Sequence, residues 1–196
     1  MRLIPISPDQ PLRPAASRLI RAIYALTYDA YITNIPKTVI ALVDGDDRIH
    51  ATAGFRDSSE PFFSECYLDA PVERIIGAAA RKRVERRKIV EVSCLASRTP
   101  AISVQFLREL VLYGDELGFD WAFFTATSRL EKLLRRMRLP LITLGTASAS
   151  RVPSPESWGS YYETAPRVLA FGREHLTPFL AKKPAPAGYR EVHAHG

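Results

Sequence analysis

The apolar and polar positions along the chain follow two periods, one typical of strands and the other of helices. Between Ile89 and Gly118, an apolar run passes through a short loop into an amphipathic helix, which predicts a strand followed by a helix. Apolar runs rich in β-branched and aromatic residues predict the other strands at 2–6, 38–43, 48–55, 121–127, 141–147 and 167–172. Helical spacing predicts further helices over 15–31, after Pro71, and from Ser128 to Pro140.

Short motifs where these elements begin and end predict a turn and a helix cap. Asp44 and Gly45 lie between two strand-like runs and predict a hairpin, with the glycine taking the positive φ of the turn. Ser128 and Glu131 have the spacing of a capping box at a helix start. The strand, helix and strand between residues 89 and 127 predict a parallel pair of strands. We therefore expect an α/β domain over 1–172 and a partly disordered C-terminal extension over 173–196.

Length and composition bound the class of protein. A chain of 196 residues with 46% hydrophobic and 24% charged residues suits one globular domain. No apolar run approaches the roughly 20 residues that cross a bilayer, and the N-terminus lacks the apolar segment of a secretory signal. We expect a cytoplasmic protein without a transmembrane segment. The sequence gives no indication of the oligomeric state.

The residues that bind metals and form disulfides are few. Cys66 and Cys94 do not make a CxxC motif, and His193 and His195 lie in the tail without further ligands. We expect no metal site and no tightly bound cofactor. No base is adjacent to Cys94 in sequence, so a nucleophilic role for this thiol is not favoured.

Five stretches resemble a known family: GFRD at 54–57, FFSECYLDAPVE at 62–73, IVEVSCLAS at 89–97, WAFFTAT at 121–127 and WGSYYETAPRV at 158–168. They are similar to the thermostable hemolysin family of bacterial proteins, and the order of elements resembles the GNAT acyltransferase fold. The resemblance implies a mixed, twisted central sheet flanked by helices. It also implies kinship in fold with N-acyl-homoserine lactone synthases, which pass an acyl chain from acyl carrier protein to an amine.

Two positions carry the comparison with those synthases further. Arg56 and the run Glu91-Val92-Ser93 resemble the synthases' arginine and glutamate-x-serine motifs. The chain departs from both groups at the next position, because hemolysin-family members have Gly-Asn in place of Ser93-Cys94 and the synthases have arginine in place of Cys94. A role for position 94 is therefore not transferred.

The acyl donor is inferred from the loop at 97–103. Relatives that use coenzyme A place a glycine-rich turn there, so that bare amides reach the pyrophosphate. This loop has no glycine, and Pro100 removes one amide donor. An acyl carrier protein is consequently the first expectation for the donor and acyl-coenzyme A the second, each as a co-substrate.

A basic segment offers a surface for an acidic carrier protein. Residues 81–88 contain six basic residues and one glutamate, a large part of the net charge of +6. A solvated segment without a partner is an equally good interpretation. Nucleic acid binding is not favoured, because no recognised motif accompanies the charge. The candidate carrier-binding residues are Arg81, Lys82, Arg83, Arg86 and Arg87.

Glu91 and Tyr161 are the candidate catalytic residues. Glu91 lies among apolar strand residues, and its carboxylate is expected either to accept a proton from an attacking amine or to form a structural ion pair, for instance with Arg56. Tyr161 is expected to donate a proton to a leaving thiolate, or to serve as an aromatic plug. The candidate substrate-binding residues are Arg56, Glu65, Ser93, Cys94, Leu95, Thr125, Thr127, Trp158, Tyr162 and Glu163.

The sequence thus predicts an acyltransferase that moves an acyl group from a thioester to the amine of a small amino acid-like acceptor. Two alternatives stay open. The family name implies a membrane-active, hemolysin-like protein, and the altered Ser93-Cys94 pair is compatible with a non-catalytic binding module.

Overall fold

One mixed sheet of seven strands organises the computed structural model, which describes residues 1–176. The strands follow the order β1-β2-β3-β4-β5-β7-β6, and only β4 and β5 are parallel neighbours. The predicted parallel pair is therefore confirmed. The strands are β1 Arg2–Ile6, β2 Thr38–Val43, β3 Ile49–Arg56, β4 Ile89–Ser97, β5 Trp121–Ala126, β6 Ile142–Thr146 and β7 Arg167–Gly172.

Helices cover both faces of the sheet, as predicted. On one face lie α1, Arg13–Tyr28, and α2, Val72–Ala80, and on the other lie α3, Pro100–Glu116, and α4, Ser128–Arg136. The alternation of side chains along β2 shows why both faces are apolar. Val39, Ala41 and Val43 pack with α1, whereas Ile40 and Leu42 pack with α3.

The end of α1 differs from the prediction. The helix stops at Tyr28 rather than at residue 31, because Asp29 takes a left-handed conformation with φ 55° and its amide donates to the Ala25 carbonyl at 2.9 Å. Ala30 and Ile32 are buried beyond this cap. Residues 30–36 thus become a loop over the sheet instead of a further helical turn.

The hairpin of β2 and β3 is confirmed, but its turn is built differently. The positive φ belongs to Asp47, at 59°, and not to Gly45. The Asp44 carboxylate accepts hydrogen bonds from the amides of Asp46 and Arg48, at 3.1 and 3.0 Å. This side chain organises a five-residue connection, in which an aspartate tolerates the left-handed region.

The predicted capping box at Ser128 is wrong by one residue. β5 ends at Ala126, so Thr127 is the N-cap, and its hydroxyl accepts a hydrogen bond from the Leu130 amide at 3.3 Å. Ser128 is the first helical residue and donates its hydroxyl to the Thr164 carbonyl at 2.8 Å. Glu131 pairs with Arg135 one turn later rather than with the helix start.

The beginning of the predicted C-terminal extension belongs to the packed structure. Arg173–His175 forms a single turn, and Leu176 is buried beside Leu134 and Leu139. The remainder of the predicted extension, with His193 and His195, lies outside the described residues.

Candidate active site

Strands β4 and β5 separate halfway along their length. They pair only at Ile89 with Trp121, Val90 with Ala122 and Glu91 with Phe123, although both strands continue. Residues 92–95 are each partly exposed, even though β4 lies in the middle of the sheet. A gap therefore opens between the carboxyl halves of these two strands.

A β-bulge in β4 lies beside this gap. Ser93 pairs with Gly54 and Ala96 with Thr52, so that two residues, Cys94 and Leu95, stand opposite one residue of β3. Cys94 has φ 50°, an unusual conformation for a residue with a side chain. A bulge leaves a residue outside the ladder register, and its peptide groups become available to a ligand.

Close packing of the neighbouring strand supports the bulge. A Cβ atom on Gly54 would lie 2.4 Å from the Pro36 Cγ and 2.9 Å from the Ser93 Oγ. Only glycine allows the loop that carries Pro36 to cross β3 at this position.

Two cavities on opposite faces of the sheet meet at the gap. The larger, of about 750 Å³, lies between the sheet and helices α3 and α4 and reaches through the gap to Ile23, Tyr24 and Tyr28 of α1. The smaller, of about 230 Å³, lies on the face of α1. The gap therefore connects the two faces. Both cavities are lined by Tyr24, Ser93, Cys94, Thr125 and Tyr161.

A buried ion pair underlies the smaller cavity. The Arg56 Nη1 lies 3.1 Å from the Glu91 Oε2, and the two residues are 3% and 0% exposed. The carboxylate of Glu91 also accepts hydrogen bonds from the amides of Phe63 and Ser64, at 2.8 and 2.7 Å. These contacts fit the ion-pair alternative for Glu91, because each of them favours a carboxylate that accepts hydrogen bonds and stays in place. Glu91 lines neither cavity.

Arg56 is positioned at the smaller cavity by this pairing. Its guanidinium donates to the Ser93 Oγ at 3.3 Å and to the Asn34 Oδ1 at 3.0 Å, and it lines the cavity. Sequence reasoning missed Asn34, because the helix was predicted to end at residue 31 and nothing placed the following loop against β3.

Aromatic side chains surround the gap on the α1 face. The ring of Tyr161 lies 6.4 Å from that of Tyr24 and 5.2 Å from that of Tyr28, and Trp158 stacks on Phe63 at 5.6 Å. Burial raises the pKa of Tyr161 and of Tyr24 well above the usual range. Both phenols consequently carry a proton at neutral pH. Sequence analysis identified Tyr161 but had no signal that set Tyr24 apart from a packing residue.

The thiol of Cys94 is also protonated. Burial raises its pKa from an ordinary 9.0 to about 11, although the nearby Arg56 charge acts in the opposite direction. A thiol in this state is a poor nucleophile at neutral pH. Cys94 thus takes part in the gap as a lining residue and through the β-bulge in which it lies.

Loop 148–166 holds Trp158 and Tyr161 in place through α1. The Ser160 amide donates to the Tyr28 carbonyl at 2.8 Å, and the Tyr31 amide donates to the Ser157 carbonyl at 2.7 Å. Between these bonds Gly159 has φ 49°, and a Cβ atom there would lie 2.0 Å from the Tyr28 carbonyl oxygen. The loop therefore docks only with glycine at this position.

We expect Gly159→Ala to lower the free energy of unfolding by about 1–3 kcal/mol, because the loop must leave α1 or adopt a strained backbone. Chemical denaturation followed by tryptophan fluorescence measures the loss. Gly45→Ala is the matched control, since a Cβ atom there meets nothing within 4 Å. Equal stability of the two variants would contradict the docking of the loop.

The other predicted site residues fall into two groups. Leu95 and Thr127 line the larger cavity, and Trp158 lines the smaller. The Tyr162 hydroxyl lies 2.8 Å from the Tyr67 hydroxyl, and Glu163 is exposed. Neither Tyr162 nor Glu163 lines a cavity.

The carboxylate of Glu65 is engaged by hydrogen bonds from other residues of the protein. It accepts two hydrogen bonds from Arg86, each at 2.6 Å, and one from the Val72 amide at 2.9 Å. Burial works against ionisation of Glu65, yet these hydrogen bonds outweigh it and lower the pKa of the carboxyl. The pair fixes the segment before α2 to the basic segment, and a role of Glu65 in substrate binding stays a prediction.

The basic segment 81–88 lies at the other end of β4 from the gap, about 17 Å along the strand from Lys88 to Ser93. Lys82 pairs with Glu174 and Arg87 with Glu85. None of the five predicted carrier-binding residues lines either cavity. A different set of cations does line the larger cavity: Arg98, Arg129, Lys132 and Arg136.

Two kinds of feature are absent from residues 1–176. Nowhere in this part of the chain do three or more His, Cys, Asp or Glu side chains cluster as metal ligands. No helix of the same residues is long and apolar enough to cross a membrane.

Known proteins resemble the chain at two levels. The family model described as thermostable hemolysin matches residues 6–176. No curated protein matches the chain.

Several solved structures share the fold. The coenzyme A-dependent acyl-homoserine lactone synthase BjaI, solved with SAM and isopentyl-CoA, is 14% identical with a TM-score of 0.60, over 92% of this chain and 88% of that one. LasI, an acyl-homoserine lactone synthase, is 11% identical with a TM-score of 0.58, over 87% and 90% of the two chains. FeeM, an N-acyl amino acid synthase from uncultured soil microbes, is 17% identical with a TM-score of 0.56, over 87% and 91%. These similarities confirm the predicted kinship in fold.

Proposed function

The chain belongs to the thermostable hemolysin family, and we propose that it is an enzyme that transfers an acyl group from a thioester to a small amine. The observation that carries the proposal is the gap at Ser93, Cys94 and Thr125, where cavities on the two faces of the sheet meet. A thioester in the larger cavity and an amine in the smaller would meet there. Holding both reactants in one geometry removes much of the entropic barrier to their reaction.

The proposed chemistry is direct attack. The amine nitrogen bonds to the thioester carbonyl carbon, and the negative charge that develops on the oxygen is stabilised by peptide amides of the bulge at Cys94 and Leu95. Collapse of this intermediate breaks the carbon–sulfur bond, and the phenol of Tyr161 donates its proton to the leaving thiolate. The proton released by the amine passes to solvent, and solvent returns a proton to the Tyr161 phenolate, so that the phenol is restored for the next turnover.

Glu91 has a positioning role in this scheme. Its carboxylate is buried beneath the cavities and engaged by Arg56 and two backbone amides. We assign to it the placement of Arg56. The guanidinium has five N–H donors: Nη1 bonds Glu91 and Ser93, Nη2 bonds Asn34, and Nε faces Glu60 at 4.0 Å. One N–H of Nη2 is left for an oxygen of an amino acid-like acceptor.

An acyl carrier protein is the favoured donor over coenzyme A. At the start of α3, Pro100 has no N–H, the Ile102 amide is capped by the Thr99 hydroxyl at 3.4 Å, and the Ser103 amide bonds the Thr99 carbonyl at 3.0 Å. At most the Ala101 amide is left for a pyrophosphate. A carrier-tethered pantetheine brings no pyrophosphate and does not require such a cradle.

The proposed transfer is tested by incubating the protein with acylated carrier proteins or acyl-coenzyme A and a panel of amines and amino acids. Mass spectrometry is expected to find an acylated amine together with a free pantetheine thiol. Donor binding without any product would favour the non-catalytic alternative. Leakage of liposomes caused by the pure protein without donor would favour the membrane-active one.

We expect charge reversal on α4, in the triple variant R129E/K132E/R136E, to lower kcat/KM for an acyl carrier protein donor about tenfold or more at low salt. These side chains line the cavity that receives the pantetheine, and carrier proteins are acidic. Transfer from a simple acyl-pantetheine should change little, because it does not depend on docking. The kinetics are measured at several salt concentrations.

The variant R81E/K82E/R83E is the matched control, with the same change of charge on the basic segment. If it weakens carrier-dependent transfer and the α4 variant does not, the carrier docks on residues 81–88, as the sequence suggested.

A further inference from the structure

The larger cavity runs the length of α3 and ends at an ion pair. It is lined by Thr99 and Pro100 at the start of this helix and by Gly114 and Asp115 near its end. With a rise of about 1.5 Å per residue, this distance is roughly 24 Å. At the far end the Asp115 Oδ1 lies 2.5 Å from the Arg173 Nε, and both residues line the cavity.

The wall between the gap and this ion pair is apolar on three sides. α3, β5 and α4 each contribute, and the contributing side chains are buried or partly buried. A short acyl group such as acetyl would leave most of this apolar surface without a partner, whereas a linear hydrocarbon chain would cover it. The wall includes Leu107, Val111, Phe124, Leu133 and Leu134.

The two members of the ion pair come from different elements. Asp115 belongs to the last turn of α3, and Arg173 follows β7, where its amide donates to the Asp120 carbonyl at 2.8 Å. Asp120 also lines the cavity. The side chains of Arg173 and Asp115 are 48% and 21% exposed, so the pair bridges the far end of the cavity where it reaches solvent. A methyl terminus that reached it would have to displace or desolvate charge, which is costly.

We propose that the acyl group is a linear chain of medium or greater length and that the Asp115–Arg173 ion pair limits how long that chain can be. The inference rests on the proposed function for the nature of the ligand. Under this proposal, Asp115 and Arg173 determine the specificity for chain length, and they lie at the opposite end of the cavity from the reacting atoms.

The test measures binding apart from transfer. S-alkyl pantetheine thioethers, from octyl to hexadecyl, have no carbonyl to transfer and are titrated into the intact protein by calorimetry. In the wild type, affinity should rise about fourfold with each methylene until the chain reaches the ion pair, and then stop rising. In Asp115→Ala and Arg173→Ala the rise should continue to longer chains. Asp69→Ala is the control, since it breaks an exposed ion pair with Arg151 away from both cavities.

The outcomes separate this inference from the proposed function. An identical length limit in the wild type, Asp115→Ala and Arg173→Ala would overturn the role of the ion pair, even if transfer from an octanoyl donor proceeds. Absence of any dependence on chain length would overturn the assignment of the cavity to the acyl chain. A shifted limit in both variants supports the inference even where no transfer is detected, and in that case only the proposed reaction fails.

Discussion

Arg56→Met is expected to lower the free energy of unfolding by about 3–5 kcal/mol, because the carboxylate of Glu91 would stay buried without its cationic partner. Two backbone amides would still bind the carboxylate, but they carry no compensating charge. Urea denaturation followed by circular dichroism measures the loss. The double variant Arg56→Met with Glu91→Leu should recover a large part of it, because the unpaired charge is then removed.

The control breaks an exposed ion pair. Arg135→Met separates Arg135 from Glu131 on the surface of α4 and should cost less than about 1 kcal/mol. Glu91→Gln distinguishes a structural role of Glu91 from a catalytic one. If the role is structural, this variant should have a lower free energy of unfolding. A Glu91→Gln protein that keeps its stability and loses only turnover would instead support Glu91 as the base.

Thr125→Phe is expected to reduce acyl transfer about 100-fold or more, because a ring at this position would fill the place where the two cavities meet. Thr125 lies just beyond the last pairing of β5 with β4, and its hydroxyl donates to the Ser64 Oγ at 2.9 Å. The rate is measured by mass spectrometry of the acylated product. Binding of an alkyl pantetheine thioether in the larger cavity should persist.

Two controls accompany this variant. Thr143→Phe places the same ring on an exposed position of β6 and should leave transfer unchanged. Thr125→Val removes the hydroxyl without filling the gap and should cause only a small loss. If Thr125→Phe transfers at the wild-type rate, the gap is not where the reactants meet.

Sequence reasoning predicted the strands of the sheet well but placed the ends of two helices incorrectly. The strand runs of β2, β3 and β5 are apolar and strongly periodic, and each was found close to its predicted bounds. The end of α1 depended on one left-handed residue, Asp29, and the start of α4 depended on whether Thr127 or Ser128 acts as the cap. Such choices are decided by small energies that the pattern of hydrophobicity does not contain.

The candidate site was predictable only in part. Glu91 could be named because a charged residue is rare in an apolar strand, and Arg56 because it resembles the synthases' arginine motif. The structure shows the two residues paired. The cations of α4 have the helical spacing of an ordinary solvated face, and Asp115 and Arg173 have no signal in the sequence. Their relation to a ligand exists only through the cavity that they line.

The sequence by itself determined the α/β class, the parallel pair of β4 and β5, the hairpin and the membership in a family, because periodicity, turn chemistry and motifs are local along the chain. Only the tertiary structure decided that β4 and β5 part after Glu91 and that cavities on two faces join at the opening. The physical reason is that this separation depends on packing between residues far apart in the chain, such as Pro36 over Gly54 and Tyr161 against Tyr24.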